Sequence, residues 1–152
     1  MDNLTVIVLA AGGGTRMKSK TMKVLHPIAG RSMIGHVLRA VQAVEPTSVV
    51  AVVGHQREQV GPHITELLPE AVLAVQEKQE GTGHAVRIAM EAVGTTTGTV
   101  IVAAGDTPLL QGDDRAELEL WDTKWIPEGH DYAADVRPER LADLVIPAAG
   151  MR

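Results

Sequence analysis

The chain has 152 residues, 45% of them apolar and 22% charged, with a net charge of −5 and no cysteine. That balance suits one soluble globular domain and excludes disulfides and thiolate metal sites. The acidic surface argues against nucleic acid as partner, and neither a run of roughly 20 apolar residues nor a basic n-region marks a membrane span or secretory signal, so a cytoplasmic protein is expected.

In chain order, Thr5-Val-Ile-Val-Leu-Ala10 is a continuous apolar, β-branched run ended by glycines, as in a strand buried on both faces. Gly12 to Val24 holds Arg16, Lys18, Lys20 and Lys23 and no acidic residue. An acidic protein with one cationic loop suits a small anionic ligand, although a solvated loop would carry the same charges. Met33, Val37, Val41 and Val44 share a helical face that Pro46 closes. Ser48–Val53 repeats the strand pattern. Val60, Ile64, Leu67 and Leu68 mark a second helix ended by Pro69, and Val72–Val75 a third buried strand. Ala85, Ile88, Ala89 and Ala92 mark a third helix with Gly94 beyond it, and Thr99–Ala103 is the fourth strand. This alternation predicts an α/β fold, a Rossmann-like, mostly parallel sheet with helices on both faces. Its ligand belongs at the carboxyl ends of the strands. After Leu110 the pattern stops: Trp121, Trp125 and Tyr132 are the only aromatics. Asp113 or Asp114 is placed to cap a helix bearing Leu118, Trp121 and Trp125, and Pro127, Gly129, Pro138 and Pro147 break up the rest of the tail.

Three loops carry chemistry. The first is Leu9-Ala-Ala-Gly-Gly-Gly-Thr-Arg16, continuing to Lys23. Its glycines let the backbone approach a ligand and turn N–H groups toward phosphate oxygens. Arg16 offers a fixed fork of donors and Lys23 a point charge. No Gly-Lys-Ser/Thr ending is present, so it is not a Walker loop, and Met17 stands where the dinucleotide fingerprint needs its third glycine. The second is Gln76-Glu-Lys-Gln-Glu-Gly-Thr-Gly-His-Ala-Val86, in which Gly81-Thr82-Gly83 also suits a turn and helix cap. The third is Gly105-Asp106-Thr-Pro-Leu-Leu110. Asp106 there is either half of a magnesium site, since that ion uses only one or two carboxylates, or a turn cap.

The first motif with Lys23, Leu25 and Gly30-Arg-Ser-Met-Ile-Gly-His-Val37, then the second and third in order, resembles the sugar-phosphate nucleotidyltransferases. Within that family it is similar to the uridylyltransferase domains of bacterial bifunctional enzymes that make UDP-N-acetylglucosamine for the cell wall. The resemblance implies transfer of the uridylyl group of UTP to N-acetylglucosamine 1-phosphate, with Mg2+ on Asp106. Arg16 and Lys23 are then catalytic, acting on phosphates. Leu9, Ala10, Ala11, Gly12, Gly14, Thr15, Gln76, Gly81, Thr82 and Gly105 are substrate-binding, with Gln76, Gly81 and Thr82 at the uracil edge. His84 receives no role. Where the family usually has Tyr-Gly-Asp this chain has Ala104-Gly105-Asp106, and where it often has Pro before the lysine this chain has Met22.

The resemblance divides the chain into a nucleotide-binding part, residues 1–110, and an unplaced tail, 111–152. The family's acceptor half, with a Gly-Tyr-Gly-Arg loop, a glutamate and two asparagines, has no counterpart in Gln111–Arg152, where no asparagine occurs. Nor does its trimerising acetyltransferase domain. The expectation is therefore a truncated or recombined form with an incomplete sheet and impaired turnover. A guanylyltransferase like that of molybdenum cofactor synthesis, and a nucleotide-binding remnant without turnover, stay open as alternatives.

Overall fold

The apolar runs become strands in the computed structural model, which describes residues 3–13, 19–94, 97–108 and 146–147. Strand β1 (Leu4–Leu9) is followed by a short 3-10 turn (Lys23–Leu25) and a hairpin of β2 (Pro27–Ile28) and β3 (Arg31–Ser32). Helix α1 (Met33–Ala43), β4 (Ser48–Val53), α2 (Arg57–Leu67), β5 (Val72–Val75), α3 (Thr82–Val93), β6 (Thr99–Ala104) and β7 (Ile146–Pro147) complete the order. The main sheet runs β5-β4-β1-β6-β7. Its first three pairings are parallel, and β7 lies antiparallel on β6, with Val100 opposite Ile146. No described helix is long and apolar enough to cross a membrane.

Alternation along the strands divides the core into two layers. Val6 and Val8 of β1, with Val49, Ala51 and Val53 of β4, pack against Ile34, Val37, Leu38 and Val41 of α1 and Val60 and Ile64 of α2. Ile7, Val50, Val52 and Val100 face the other way, onto Ala85, Val86 and Ala89 of α3. The sheet is thus covered on both faces, which is why its central strands are apolar throughout.

Several details depart from the sequence expectation. Val44 is the C-cap of α1 and is exposed; the apolar stripe of that helix is Ile34, Val37, Leu38 and Val41, shifted to the positions that face the sheet. Leu67 is exposed while Leu68, just beyond α2, is buried. Ala92 is also exposed. Strand β5 is not buried on both faces: Val72 is 40% and Leu73 38% exposed, because β5 is an edge of the sheet. The proposed helix around Leu118, Trp121 and Trp125 lies outside the described residues.

Local chemistry sets the ends. The loop of the β2–β3 hairpin is Ala29-Gly30, both at positive φ, the requirement of a tight type I′ turn. Ser32 caps α1, its Oγ accepting from the Gly35 N–H at 3.1 Å, and the same Oγ lies 2.7 Å from His63 Nε2 of α2. One hydroxyl thereby ties two helices to the hairpin. Gly94 ends α3 at φ +75° and ψ −153° and donates to the Met90 carbonyl, a backbone region open essentially to glycine alone.

Candidate functional site

The carboxyl ends of β1, β4, β5 and β6 open on one side into a cavity of about 500 Å³. Leu9, Ala11 and Gly12 enter it from the end of β1, and Lys23 and Val24 from the 3-10 turn. Gln76, Gln79, Gly81 and Thr82 enter from the β5–α3 loop, and Ala104 and Asp106 from the end of β6. The three motif loops, far apart in sequence, therefore share one wall.

Each loop is held by contacts that side-chain size alone would forbid or permit. Ala10 donates to the Val52 carbonyl at 2.8 Å and Gly105 to the Leu9 carbonyl at 2.8 Å, carrying the sheet one step past its strands. A Cβ on Gly105 would lie 2.7 Å from the Leu9 oxygen, and one on Gly54 2.8 Å from the Ala11 oxygen. Both positions need glycine for close backbone approach. Around Gly12 a Cβ would meet nothing within 4 Å, so its openness faces the cavity rather than the core.

Lys23 is placed by its neighbours: Met22 and Val24 are buried and anchor the turn, leaving the lysine at the cavity. Met22 has φ −56° and ψ 140°, the φ that a proline ring imposes. The methionine thus reproduces the backbone that the family's common proline would give. Lys23 Nζ pairs with Asp106 Oδ2 at 2.5 Å, both side chains 37% exposed. The turn after β6 is closed instead by Thr107, whose hydroxyl donates to the Ala104 carbonyl at 2.8 Å. Asp106 lines the cavity.

Gln76 is 3% exposed, one of two buried polar residues among those described, and burial of an amide demands partners. Its Nε2 donates to the Gly81 carbonyl at 3.2 Å and lies 3.2 Å from His84 Nδ1. That ring nitrogen also lies 3.1 Å from the Lys78 carbonyl. One nitrogen donates or accepts, so each tautomer of His84 makes only one of these two bonds. His84, given no role from sequence, helps to shape the loop. Gly81 precedes α3 at φ +95° and Thr82 begins the helix.

Of the residues expected from sequence, Leu9, Ala11, Gly12, Lys23, Gln76, Gly81, Thr82 and Asp106 line the cavity. Ala10 is buried in the core beneath it, and Gly105 is buried at the β1–β6 contact. Gly14, Thr15 and Arg16 lie outside the described residues. Sequence reasoning missed Gln79, which donates to the Ala11 carbonyl; a polar residue in a polar loop carries no periodic signal. Among the described residues no three His, Cys, Asp or Glu side chains gather as metal ligands. A single carboxylate in a cavity fits a hard cation that completes its shell with phosphate oxygens and water, and does not fit a closed structural metal site.

The profile of the MobA-like NTP transferase domain matches residues 6–135. The bifunctional protein GlmU of Thermobifida fusca is 59% identical over 117 residues, which are 74% of this chain and 24% of that protein. The chain thus spans about a quarter of the length of the curated relatives it matches. Among solved structures, a putative glucose-1-phosphate thymidylyltransferase from Bacillus anthracis superposes with a TM-score of 0.60 at 24% identity, over 80% of this chain and 51% of that one. Rv0371C of Mycobacterium tuberculosis, solved in complex with manganese, superposes at 0.59 and 20% identity, over 90% and 60%. Both share the fold.

Proposed function

This chain belongs to the MobA-like NTP transferase family, and from that membership we propose that its cavity binds UTP with magnesium and serves uridylyl transfer to N-acetylglucosamine 1-phosphate. The observation that carries the reading is the meeting of glycine turn, Gln76–Thr82 loop, Lys23 and Asp106 on one cavity. The similarity to GlmU favours this substrate pair, the making of a cell-wall precursor, and a cytoplasmic setting.

In the proposed reaction an anionic oxygen of the sugar phosphate attacks the α-phosphorus of UTP. A new P–O bond forms as the bond to the β-phosphate oxygen breaks, and pyrophosphate leaves with the electron pair. The nucleophile is already anionic, so no general base is required. The protein contributes position and charge neutralisation. Lys23 neutralises phosphate, Arg16 acts with it on the leaving group, and Gln76 with Gly81 and Thr82 presents donors and an acceptor to the imide edge of uracil. Asp106 would hold magnesium, which when bound supplies positive charge against the phosphates. Turnover by this chain is expected to be low, because Gln111–Arg152 contains no match to the family's acceptor motifs and unoriented acceptor forfeits proximity.

Calorimetry of the 152-residue chain with UTP, CTP and GTP, with and without magnesium, tests the reading. Magnesium-dependent preference for UTP is the expected result, and equal affinity for UTP and GTP would refute the base-reading role. A pyrophosphate-release assay with UTP and N-acetylglucosamine 1-phosphate measures turnover alongside.

A further inference from the structure

Gln79 belongs to the loop after β5, yet its side-chain amide reaches across the cavity wall to the other loop, donating to the Ala11 carbonyl at 2.5 Å. Behind that carbonyl stands Gly54, where a Cβ would lie 2.8 Å from the Ala11 oxygen and 3.3 Å from its Cα. The Ala11 peptide is therefore confined from behind by the end of β4 and held in front by Gln79. A peptide unit is planar, so fixing the Ala11 oxygen also fixes the direction of the Gly12 N–H. That N–H is the first donor of the glycine turn, at a residue lining the cavity.

From this we infer that Gln79 is a positioning residue, a latch by which the base-side loop sets the orientation of the phosphate-side loop. The inference rests on the nucleotide-binding reading and adds a residue to it. Two features separate the latch from a merely structural bond. Gln79 is itself exposed and belongs to neither core layer, so it adds little to global stability. The carbonyl it holds is also on the segment whose amides would face phosphate, while Gln79 lies on the segment that would face the base. A base-side residue thereby controls phosphate affinity.

The test uses inorganic pyrophosphate and uridine as separate probes of the two halves of the site. Gln79→Met keeps the side-chain length and removes the donor; Gln79→Glu keeps the shape and offers only acceptors to the Ala11 oxygen. Both variants should keep the thermal midpoint of the unmodified chain, and both should shift the NMR amide resonance of Gly12, which shares its peptide plane with the Ala11 carbonyl. In Gln79→Met, pyrophosphate affinity should fall roughly three- to tenfold, the scale of one net hydrogen bond. Unchanged pyrophosphate affinity would overturn the latch, as would a loss confined to uridine, which would make Gln79 a base contact. An unmodified chain that binds neither pyrophosphate nor UTP would instead overturn the nucleotide reading, and this inference with it.

Discussion

Lys23 and Asp106 meet across the cavity from positions 83 residues apart. An ion pair as exposed as this one contributes about 1 kcal/mol or less to folding, too little for stability to be its main consequence. Lys23→Ala should therefore leave the urea midpoint almost unchanged while weakening UTP, CTP and GTP alike by roughly ten- to a hundredfold, the worth of a charge-assisted bond to phosphate. Parallel calorimetry and urea titration check both halves of that statement. Gln76 is the opposite case, since its amide is buried and bonded to Gly81. Gln76→Ala should lower stability by about 0.5–1.5 kcal/mol, the net worth of one hydrogen bond, since the Gly81 carbonyl keeps its bond from the Ala85 N–H, and should narrow the preference for UTP over GTP in competition binding.

At the scale of elements, two glycines of the site should behave differently under the same substitution. Gly105→Ala drives a methyl into the Leu9 oxygen where β1 and β6 touch, and overpacking of this kind costs about 1–3 kcal/mol. Gly12→Ala has open space around it, so denaturation should barely register it while triphosphate affinity falls. The strands themselves were legible because a strand covered on both faces must be apolar along its length, and Thr5–Ala10, Ser48–Val53 and Thr99–Ala103 are. The properties that stayed hidden belong to neighbours. Val72 and Leu73 read as core, and only the strand order makes them an edge. Ile146–Pro147 is too short to announce itself, and its proline suits an edge position that sequence alone does not reveal. The cavity loops were readable as motifs, yet Gln79 was not, because its partner is a backbone oxygen brought near by the fold.

For the whole molecule, strand β5 is the last described strand on its side of the sheet, with Val72 and Leu73 exposed, and Leu67 of α2 is exposed as well. An open, apolar edge is a template for association with another chain, and a charged residue there is the usual remedy. Val72→Lys should lower the concentration-dependent light scattering of the purified chain and leave UTP affinity unchanged, since Val72 is not at the cavity.

The position of β1 has a consequence for synthesis. It is the third of the five described strands across the sheet but is made before the other four, and its partners are Ser48–Val52 on one side and Thr99–Ala104 on the other. At about 5–20 residues per second of translation, the nascent segment Thr5–Ala10 waits roughly 5–20 seconds before its second neighbour has been polymerised. Through that interval its most apolar stretch has at best one partner strand. Slowing of the ribosome before residue 99 would lengthen that exposure.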